Sequence, residues 1–203
     1  MTKTEVSAEK VKELRDKTGA GMMDCKRALA ESGGSLDKAI DYLRKKGAAT
    51  AEKLADRVTN QGQVEAYIHA GGRIGSMVEV NCQTDFVAKT DDFKGLARDI
   101  AMQIAAMNPQ YVTRDQVSQA TLDHELEIYR TQARNEKKPE QVIEKIAAGK
   151  LEKYLEEVCL LEQTFIKDSG KTIKDLILEM TAKTGEKITV RRFMRFHLGE
   201  HGI

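Results

Sequence analysis

The chain has 203 residues, a length that allows one medium domain or one compact core with a small additional module. Its 33 basic and 32 acidic residues nearly cancel, which excludes a strong overall attraction to nucleic acid or to an anionic membrane. With two prolines, no tryptophan and 5% aromatic residues, an all-β sandwich is disfavoured, and a helix-rich fold with a small sheet is expected.

Three short helices are predicted at the N-terminus. Ser7 and Ser35 are candidate N-caps of the first and third helices, and the third helix is expected to end at Gly47. A three-helix bundle of this size buries little surface, so we interpret residues 1–47 as a module that binds a partner. Residues 48–61 end in a polar, glycine-containing stretch and are predicted to form a linker.

After the linker, helical spacing gives way to alternation. Apolar and polar residues alternate over 64–69 and again over 74–82, which predicts two strands. The stretch between them contains two adjacent glycines, so the strands are expected to form an antiparallel hairpin. Thr90 is a candidate N-cap of the next helix, whose apolar stripe runs to Met107 before Pro109 ends it.

The rest of the chain predicts three further helices and one strand. Thr121 is a candidate N-cap, Pro139 suits the first turn of the following helix, and Thr172 begins a capping box. Alternation over 188–198 predicts the last strand. Residues 62–203 are therefore predicted to form an α+β core, in which a small antiparallel sheet packs with helices.

The cysteine pattern bears on redox state and metal binding. Cys25, Cys82 and Cys159 lie far apart and no Cys-x-x-Cys pair occurs, which argues against a disulfide framework and a structural zinc site. This usage fits a reducing cytoplasm, and neither a signal peptide nor a membrane anchor is expected. The four histidines show no helical pairing, so no bound metal is expected.

Catalysis has little support in the sequence. The chain contains no Gly-x-Ser-x-Gly, His-Glu-x-x-His, Walker or dinucleotide-binding motif. Cys82, with His69 and Asp85 as helpers, could act as a nucleophile, but its alternating strand position favours a small buried thiol. We therefore expect a protein that is not an enzyme.

Nucleic-acid binding is another alternative. Arg191, Arg192 and Arg195 are interleaved with Phe193 and Phe196 on the last strand, a pattern that could pair phosphates and stack bases. The balanced net charge and the acidic residues nearby favour a salt-bridged edge strand instead. Neither nucleic acid nor a membrane is therefore expected as a direct partner.

Two segments favour binding to another protein. Met22 and Met23 are adjacent on a helix, so their side chains point about 100° apart and one of them should be exposed. Exposed methionine is common on binding surfaces, although both side chains could instead fill the small core of the module. Phe86 lies beside Asp85 at a strand exit, where its ring could form an exposed tip or fold back onto the core.

The same two segments carry a family resemblance. The stretches Thr18-Gly-Ala-Gly-Met-Met-Asp-Cys-Lys26 and Asn81-Cys-Gln-Thr-Asp-Phe-Val-Ala-Lys89 resemble the two signature stretches of the elongation factor Ts family. The resemblance extends from about Val6 to Leu198. It implies a ubiquitin-associated-like N-terminal module, no cofactor, and a cytoplasmic guanine nucleotide exchange factor that binds elongation factor Tu.

The resemblance also implies two sets of contacts with elongation factor Tu. The N-terminal module would dock on the GTP-binding domain of that partner through Lys12, Arg15, Met22 and Met23. A second segment would reach toward the partner's Mg²⁺ site and wedge its aromatic ring between side chains there. That segment corresponds to Thr84, Asp85, Phe86 and Val87.

The chain departs from the longer members of the family. Many relatives carry two related halves of the core, whereas this length allows one, and the short relatives that it resembles pair as homodimers. Many relatives also carry a histidine where this chain has Gln103, so a partner contact of that imidazole does not carry over. The remaining alternative is a generic interaction protein, whose module binds some other helix and whose core is a dimerisation scaffold.

Overall fold

A computed structural model describes residues 6–200 of the chain. Its helices are α1 Ala8–Thr18, α2 Met22–Glu31, α3 Leu36–Lys53, α4 Asp85–Ala88, α5 Asp91–Met107, α6 Gln119–Asn135, α7 Glu140–Val158 and α8 Ile173–Thr184. Its strands are β1 Gln61–Ile68, β2 Ile74–Cys82, β3 Thr164–Phe165, β4 Asp168–Thr172 and β5 Thr189–His197. Two short 3-10 turns lie at Arg114–Gln116 and Leu160–Glu162. The predicted α+β class is confirmed.

The main sheet has three strands in the order β1-β2-β5, so β1 and β5 are its edges. The connection between β1 and β2 is the predicted hairpin, in which Gly71 and Gly72 both adopt positive φ angles of 91° and 67°. Glycine is favoured at both positions because other residues rarely adopt this region of backbone conformation. The last strand, β5, is also confirmed.

The chain divides into two compact units that alternate along the sequence. The first comprises the described chain up to Glu65, together with Glu79–Ala97 and Lys174–Val190. The second comprises Ala66–Val78, Arg98–Ile173 and the described chain from Arg191 onward.

In the first unit, α1, α2 and α3 form the predicted three-helix module. Ser7 caps α1 by accepting a hydrogen bond from the backbone of Lys10, and Gly19 ends the helix with φ 66°. Six side chains make up its buried core: Val11, Leu14, Cys25, Ala28, Leu29 and Ala39. Met22 and Met23 do not belong to this core, which consists of small and branched side chains.

The predicted end of α3 at Gly47 is wrong, because the helix continues to Lys53. Gly47 is buried in the middle of α3, and a Cβ built there would lie 3.4 Å from the carbonyl oxygen of Leu178 and 3.7 Å from the Cβ of Ala182. The glycine therefore lets α8 approach α3 closely. A glycine in a helical pattern is ambiguous between a stop and a packing contact, and here it is a packing contact.

In the second unit, α6 and α7 form an antiparallel helical hairpin, braced by a bidentate ion pair between Arg130 and Glu144 with N–O distances of 2.9 Å. Ser118, rather than the predicted Thr121, caps α6, since its hydroxyl accepts the backbone N–H of Thr121 at 3.1 Å. Pro139 precedes α7 as its N-cap residue. No sequence pattern predicts β3 and β4, which pair antiparallel in a separate two-stranded sheet.

Helix α5 carries the predicted apolar stripe. Phe93, Ile100 and Ile104 are fully buried, whereas Met107, which the pattern assigned to the same stripe, is exposed at the helix end. In the second unit, the Ser76 hydroxyl of β2 donates a 2.6 Å hydrogen bond to the carbonyl of Ala101 in α5. This bond marks the face of the sheet that α5 covers.

Candidate partner-binding site

The segment that follows β2 forms a short helical turn, α4, that presents an aromatic ring to solvent. Thr84 is its N-cap, with an extended backbone, and its hydroxyl accepts a hydrogen bond from the backbone N–H of Val87 at 3.4 Å. Phe86 is 80% exposed, the most exposed large apolar side chain among the described residues. Of the two conformations left open by the sequence, the exposed tip is the one observed.

Glu186 braces the base of this turn from the loop between α8 and β5. One carboxylate oxygen accepts the backbone N–H groups of Gln83 and Thr84, each at 3.1 Å, and the other accepts the Thr84 hydroxyl at 2.6 Å. The carboxylate thus holds both backbone and side chain of the residue that caps α4. No local sequence signal could have identified Glu186 for this role, because it lies about a hundred positions further along the chain.

Asp85 is paired within its own turn. Its carboxylate forms an ion pair with Lys89 one helical turn later, and this hydrogen bond lowers the pKa of the Asp85 carboxyl. The carboxylate is therefore ionised at neutral pH and already has a cationic partner. A single carboxylate engaged in this way is poorly suited to hold a divalent cation, which prefers several oxygen ligands.

Cys82, which immediately precedes this segment, is fully buried. Burial raises the pKa of its thiol, and the sulfur donates a hydrogen bond to the carbonyl of Thr84 at 3.1 Å. Because the reactive form of cysteine is the thiolate, these surroundings argue against a nucleophilic role. The thiol instead helps to fix the start of α4.

The N-terminal module presents its predicted contact residues at the surface. Met22 is 49% exposed and Met23 is 68% exposed at the start of α2, so both thioethers, rather than one, face solvent. Lys12 and Arg15 are exposed on α1. Exposed thioethers adapt their shape to a partner, and exposed cationic side chains on the same module are available for contact with one.

A third surface lies on the uncovered face of the sheet in the second unit. Ile68 is 67% exposed and Phe196 is 61% exposed, and Met77, Met194 and Leu198 are exposed with them. Ile68 lies over Gly75, where a Cβ would be 2.7 Å from its Cδ1 atom. We call these five side chains the apolar sheet face. Four of them, Ile68, Met77, Phe196 and Leu198, also line a shallow, largely apolar groove.

Arg195 of β5 is engaged by groups of the protein itself. The Arg195 guanidinium donates a 3.1 Å hydrogen bond to the carbonyl of Ala105 and pairs with Glu200 at 3.3 Å. Phe196, on the opposite side of the strand, belongs to the apolar sheet face. Arg195 and Phe196 therefore point to opposite sides of the strand.

Gln103 is an internal residue. Its amide is fully buried, donates to Gln163 Oε1 at 3.2 Å and to the Thr164 carbonyl at 3.0 Å, and accepts the backbone N–H of Ile166 at 2.9 Å. All of its bonds join α5 to the chain around β3. A side chain at this depth supports the core and does not reach a partner.

Several exposed apolar surfaces on an α+β scaffold are typical of a protein that works by binding other macromolecules. Within residues 6–200, no group of three or more His, Cys, Asp or Glu side chains is arranged to hold a metal ion. No helix in that same range is long and apolar enough to cross a bilayer. The exposed apolar surfaces point to a protein that binds partners, and comparison with known proteins identifies its family.

A family model described as Elongation factor TS matches residues 9–200. Elongation factor Ts of Desulforamulus reducens is 60% identical over 196 residues, which cover 97% of this chain and 90% of that protein. The protein of the same name from Moorella thermoacetica is 60% identical over 195 residues, or 96% of each chain. The chain therefore belongs to the elongation factor Ts family of translation elongation factors.

Proposed function

We propose that this protein is a cytoplasmic guanine nucleotide exchange factor that binds elongation factor Tu in its GDP state. It promotes GDP release by disturbing the Mg²⁺ site of that partner and stays bound until GTP binds. It makes and breaks no covalent bond and needs no cofactor. The observation that carries the proposal is the Phe86 ring, 80% exposed on a turn that is braced from below.

The mechanism is a competition between two ligands of elongation factor Tu. A protein that binds the nucleotide-free state more tightly than the GDP·Mg²⁺ state weakens nucleotide binding, and the nucleotide weakens protein binding by the same factor. An aromatic side chain that buries roughly 150–250 Å² can supply a few kcal/mol for this purpose. The condition is that its pocket opens only when the magnesium ligands have moved.

The four residues of the turn have different parts in this proposal. Phe86 is the wedge, and Val87, half-buried beside it, extends the apolar contact. Thr84 anchors the turn through its capping bond. Asp85, already paired with Lys89, holds the turn together and leaves the Mg²⁺ to its own phosphate and water ligands.

The proposed division of labour follows the chain. Residues 1–47 dock on the GTP-binding domain of elongation factor Tu through Lys12, Arg15, Met22 and Met23. Residues 48–61 connect this module to the core, and residues 62–203 carry the Phe86 turn and the dimer contact. The exposure of both methionines supports the first assignment.

The apolar sheet face supports a homodimer. Contiguous hydrocarbon of this kind is costly in water and marks protein contact surfaces. A second copy of the chain offers the same face, and two identical apolar faces can cover each other about a two-fold axis. The dimer would place two Phe86 turns and two N-terminal modules in one assembly.

The proposal is tested by following the release of a fluorescent GDP analogue from purified elongation factor Tu. The wild type should accelerate release, and Phe86→Ala should lower the maximal rate by roughly 100-fold, the equivalent of a few kcal/mol. The double variant Met22→Ala/Met23→Ala should instead raise the half-saturating concentration. Met107→Ala, which removes an equally exposed methionine at the end of α5, serves as the matched control.

Repeating the assay in excess EDTA separates the magnesium step from general binding. If the Phe86 ring acts on the Mg²⁺ site, the ratio of the GDP-release rates of wild type and Phe86→Ala should become smaller once EDTA has removed the ion. A wild-type protein that does not accelerate GDP release would disprove the exchange function and leave the generic interaction protein. An unchanged rate for Phe86→Ala would disprove the wedge.

A further inference from the structure

We propose that Glu186 is a positioning residue for nucleotide exchange, acting through Thr84 on the direction in which the Phe86 ring is presented. The inference rests on the proposed function, because it names the group that prepares the wedge. Glu186 itself lies outside the two family signature stretches. It is half-buried, and its carboxylate is engaged by three hydrogen bonds from Gln83 and Thr84, through which it would act on the turn.

The three hydrogen bonds to Glu186 fix the turn in three ways. Binding the N–H groups of Gln83 and Thr84 to one oxygen sets the direction in which the chain leaves β2. The Thr84 hydroxyl has one hydrogen, which it donates to Glu186 at 2.6 Å, and this leaves its lone pairs to accept Val87 N–H. The carboxylate therefore orients the cap on which α4 depends.

A four-residue helix needs such support because it has too few internal hydrogen bonds to be stable alone. Phe86 itself contributes little to holding the turn, since its ring is in solvent. Without the brace, the turn would sample many conformations and only a fraction would present the ring correctly. Because the proposed docking through the N-terminal module does not depend on the turn, the maximal GDP-release rate falls in proportion to that fraction and the half-saturating concentration changes little.

Glu186 is well suited to be the fixed end of this contact. Gly185, with φ 72°, ends α8, and the backbone N–H of Glu186 donates to the Thr184 hydroxyl at 3.3 Å. Three residues later, the Thr189 hydroxyl is 3.2 Å from that of Thr59. The loop that carries Glu186 is thus anchored on both sides, and its carboxylate can transmit that rigidity to the turn.

The test is a mutant cycle in the GDP-release assay on the full-length protein. Glu186→Ala removes all three acceptor contacts and should lower the maximal release rate about tenfold, while the half-saturating concentration changes less than twofold. Glu186→Gln can still accept both backbone N–H groups through its carbonyl oxygen, so it should recover most of the rate. Glu52→Gln, an exposed glutamate of α3, controls for the lost charge.

The decisive arm repeats Glu186→Ala in the Phe86→Ala background. If Glu186 acts by presenting the ring, it should have no further effect once the ring is gone. Hydrogen exchange should also be faster in the peptide that spans residues 79–90 of Glu186→Ala, with the melting temperature nearly unchanged. Equal losses with and without Phe86, or a wild-type rate for Glu186→Ala, would overturn the inference.

The outcomes distinguish this inference from the exchange function itself. Should Glu186→Ala fail to fold, Glu186→Asp, whose carboxylate is one methylene shorter and cannot keep all three contacts, measures the coupling in both backgrounds. A wild-type protein that accelerates GDP release beside inactive Phe86→Ala and fully active Glu186 variants would refute the positioning role alone. No acceleration by the wild type would refute the exchange function first.

Discussion

Gly47 of α3 and Ala182 of α8 pack so closely that a Cβ at Gly47 would lie 3.7 Å from the Cβ of Ala182. The carbonyl oxygen of Leu178 would be 3.4 Å away. Both distances leave space for one methyl group and for nothing larger. The contact connects the N-terminal module to α8 inside the first compact unit.

The effect of a substitution at Gly47 on the free energy of unfolding should therefore depend strongly on the size of the new side chain. Gly47→Ala should leave the free energy of unfolding unchanged or raise it by up to about 1 kcal/mol, because alanine favours helix and the methyl group fits. Gly47→Leu should cost about 1–3 kcal/mol by overpacking. Urea unfolding measures both.

Gly95 of α5 provides the matched control, since a Cβ there meets no atom within 4 Å. Both Gly95→Ala and Gly95→Leu should be tolerated. If Gly47→Leu were as stable as Gly95→Leu, the close packing of α3 on α8 would be contradicted.

The buried amide of Gln103 should be difficult to replace. Gln103→Leu fills a similar volume but removes the partners of the Thr164 carbonyl and the Ile166 N–H, so it should cost roughly 2–4 kcal/mol of stability. The stability of Gln103→His should lie between those of the wild type and Gln103→Leu. A neutral imidazole has one donor and one acceptor, which cannot replace all three hydrogen bonds of the amide. Gln141→Leu on the exposed side of α7 is the control. A Gln103→Leu protein as stable as the wild type would contradict the importance of the Gln103 hydrogen bonds for stability.

The parts of the fold that follow from the sequence are those whose signals are local. Each local signal lies within a few residues of the element that it predicts. Examples are the N-caps Ser7 and Ser35 and the alternation over β2. The role of Gly47 was not predictable, because the helix that packs on it lies about 130 residues later. The β3–β4 pair was not predicted, because its strands are too short and too polar to show an alternating apolar pattern.

The candidate site was predictable to a similar extent. Residue types placed Phe86 at a strand exit, but its alternative, a ring folded onto the core, has the same local pattern. Only the three-dimensional position of Glu186 shows what holds the turn open to solvent. For Met22 and Met23 the helix period predicted one exposed side chain, but both are exposed, since neither belongs to the core of the module.

Tyr129 should make stability depend on alkaline pH. Burial, assisted by a hydrogen bond to Glu125, raises the pKa of Tyr129 to about 12. The unfolded chain releases this phenolic proton near pH 10, whereas the folded chain keeps it, so the contribution of Tyr129 is complete below pH 10 and is lost as the pH rises toward 12. Urea unfolding at pH 9, 10 and 11 should show this decline.

Tyr129→Phe has no proton to release and should flatten that part of the profile. At pH 8 the Tyr129 phenol is neutral in both the folded and the unfolded chain. The difference in free energy of unfolding between wild type and Tyr129→Phe at that pH is therefore the reference. An equally steep decline in Tyr129→Phe between pH 9 and 11 would show that another group controls the alkaline transition.

The apolar sheet face should govern the oligomeric state. Sedimentation of the wild type at micromolar concentration should give a mass near twice 22.7 kDa. Phe196→Glu should shift the protein to the monomer mass, because it would bury an unpaired carboxylate in an apolar contact. Ile128→Glu, which adds the same charge at an exposed position on α6, should leave the dimer intact.

The contact should also depend on the fit of Ile68 over Gly75. Gly75→Ala would bring a methyl group to 2.7 Å from the present position of the Ile68 Cδ1 atom, so the isoleucine must turn away and disturb the face. We expect weaker dimerisation than in the wild type but less disruption than from Phe196→Glu, since no charge is buried. A wild type that sediments as a strict monomer would contradict the dimer, and a dimeric Phe196→Glu would place its contact on another surface.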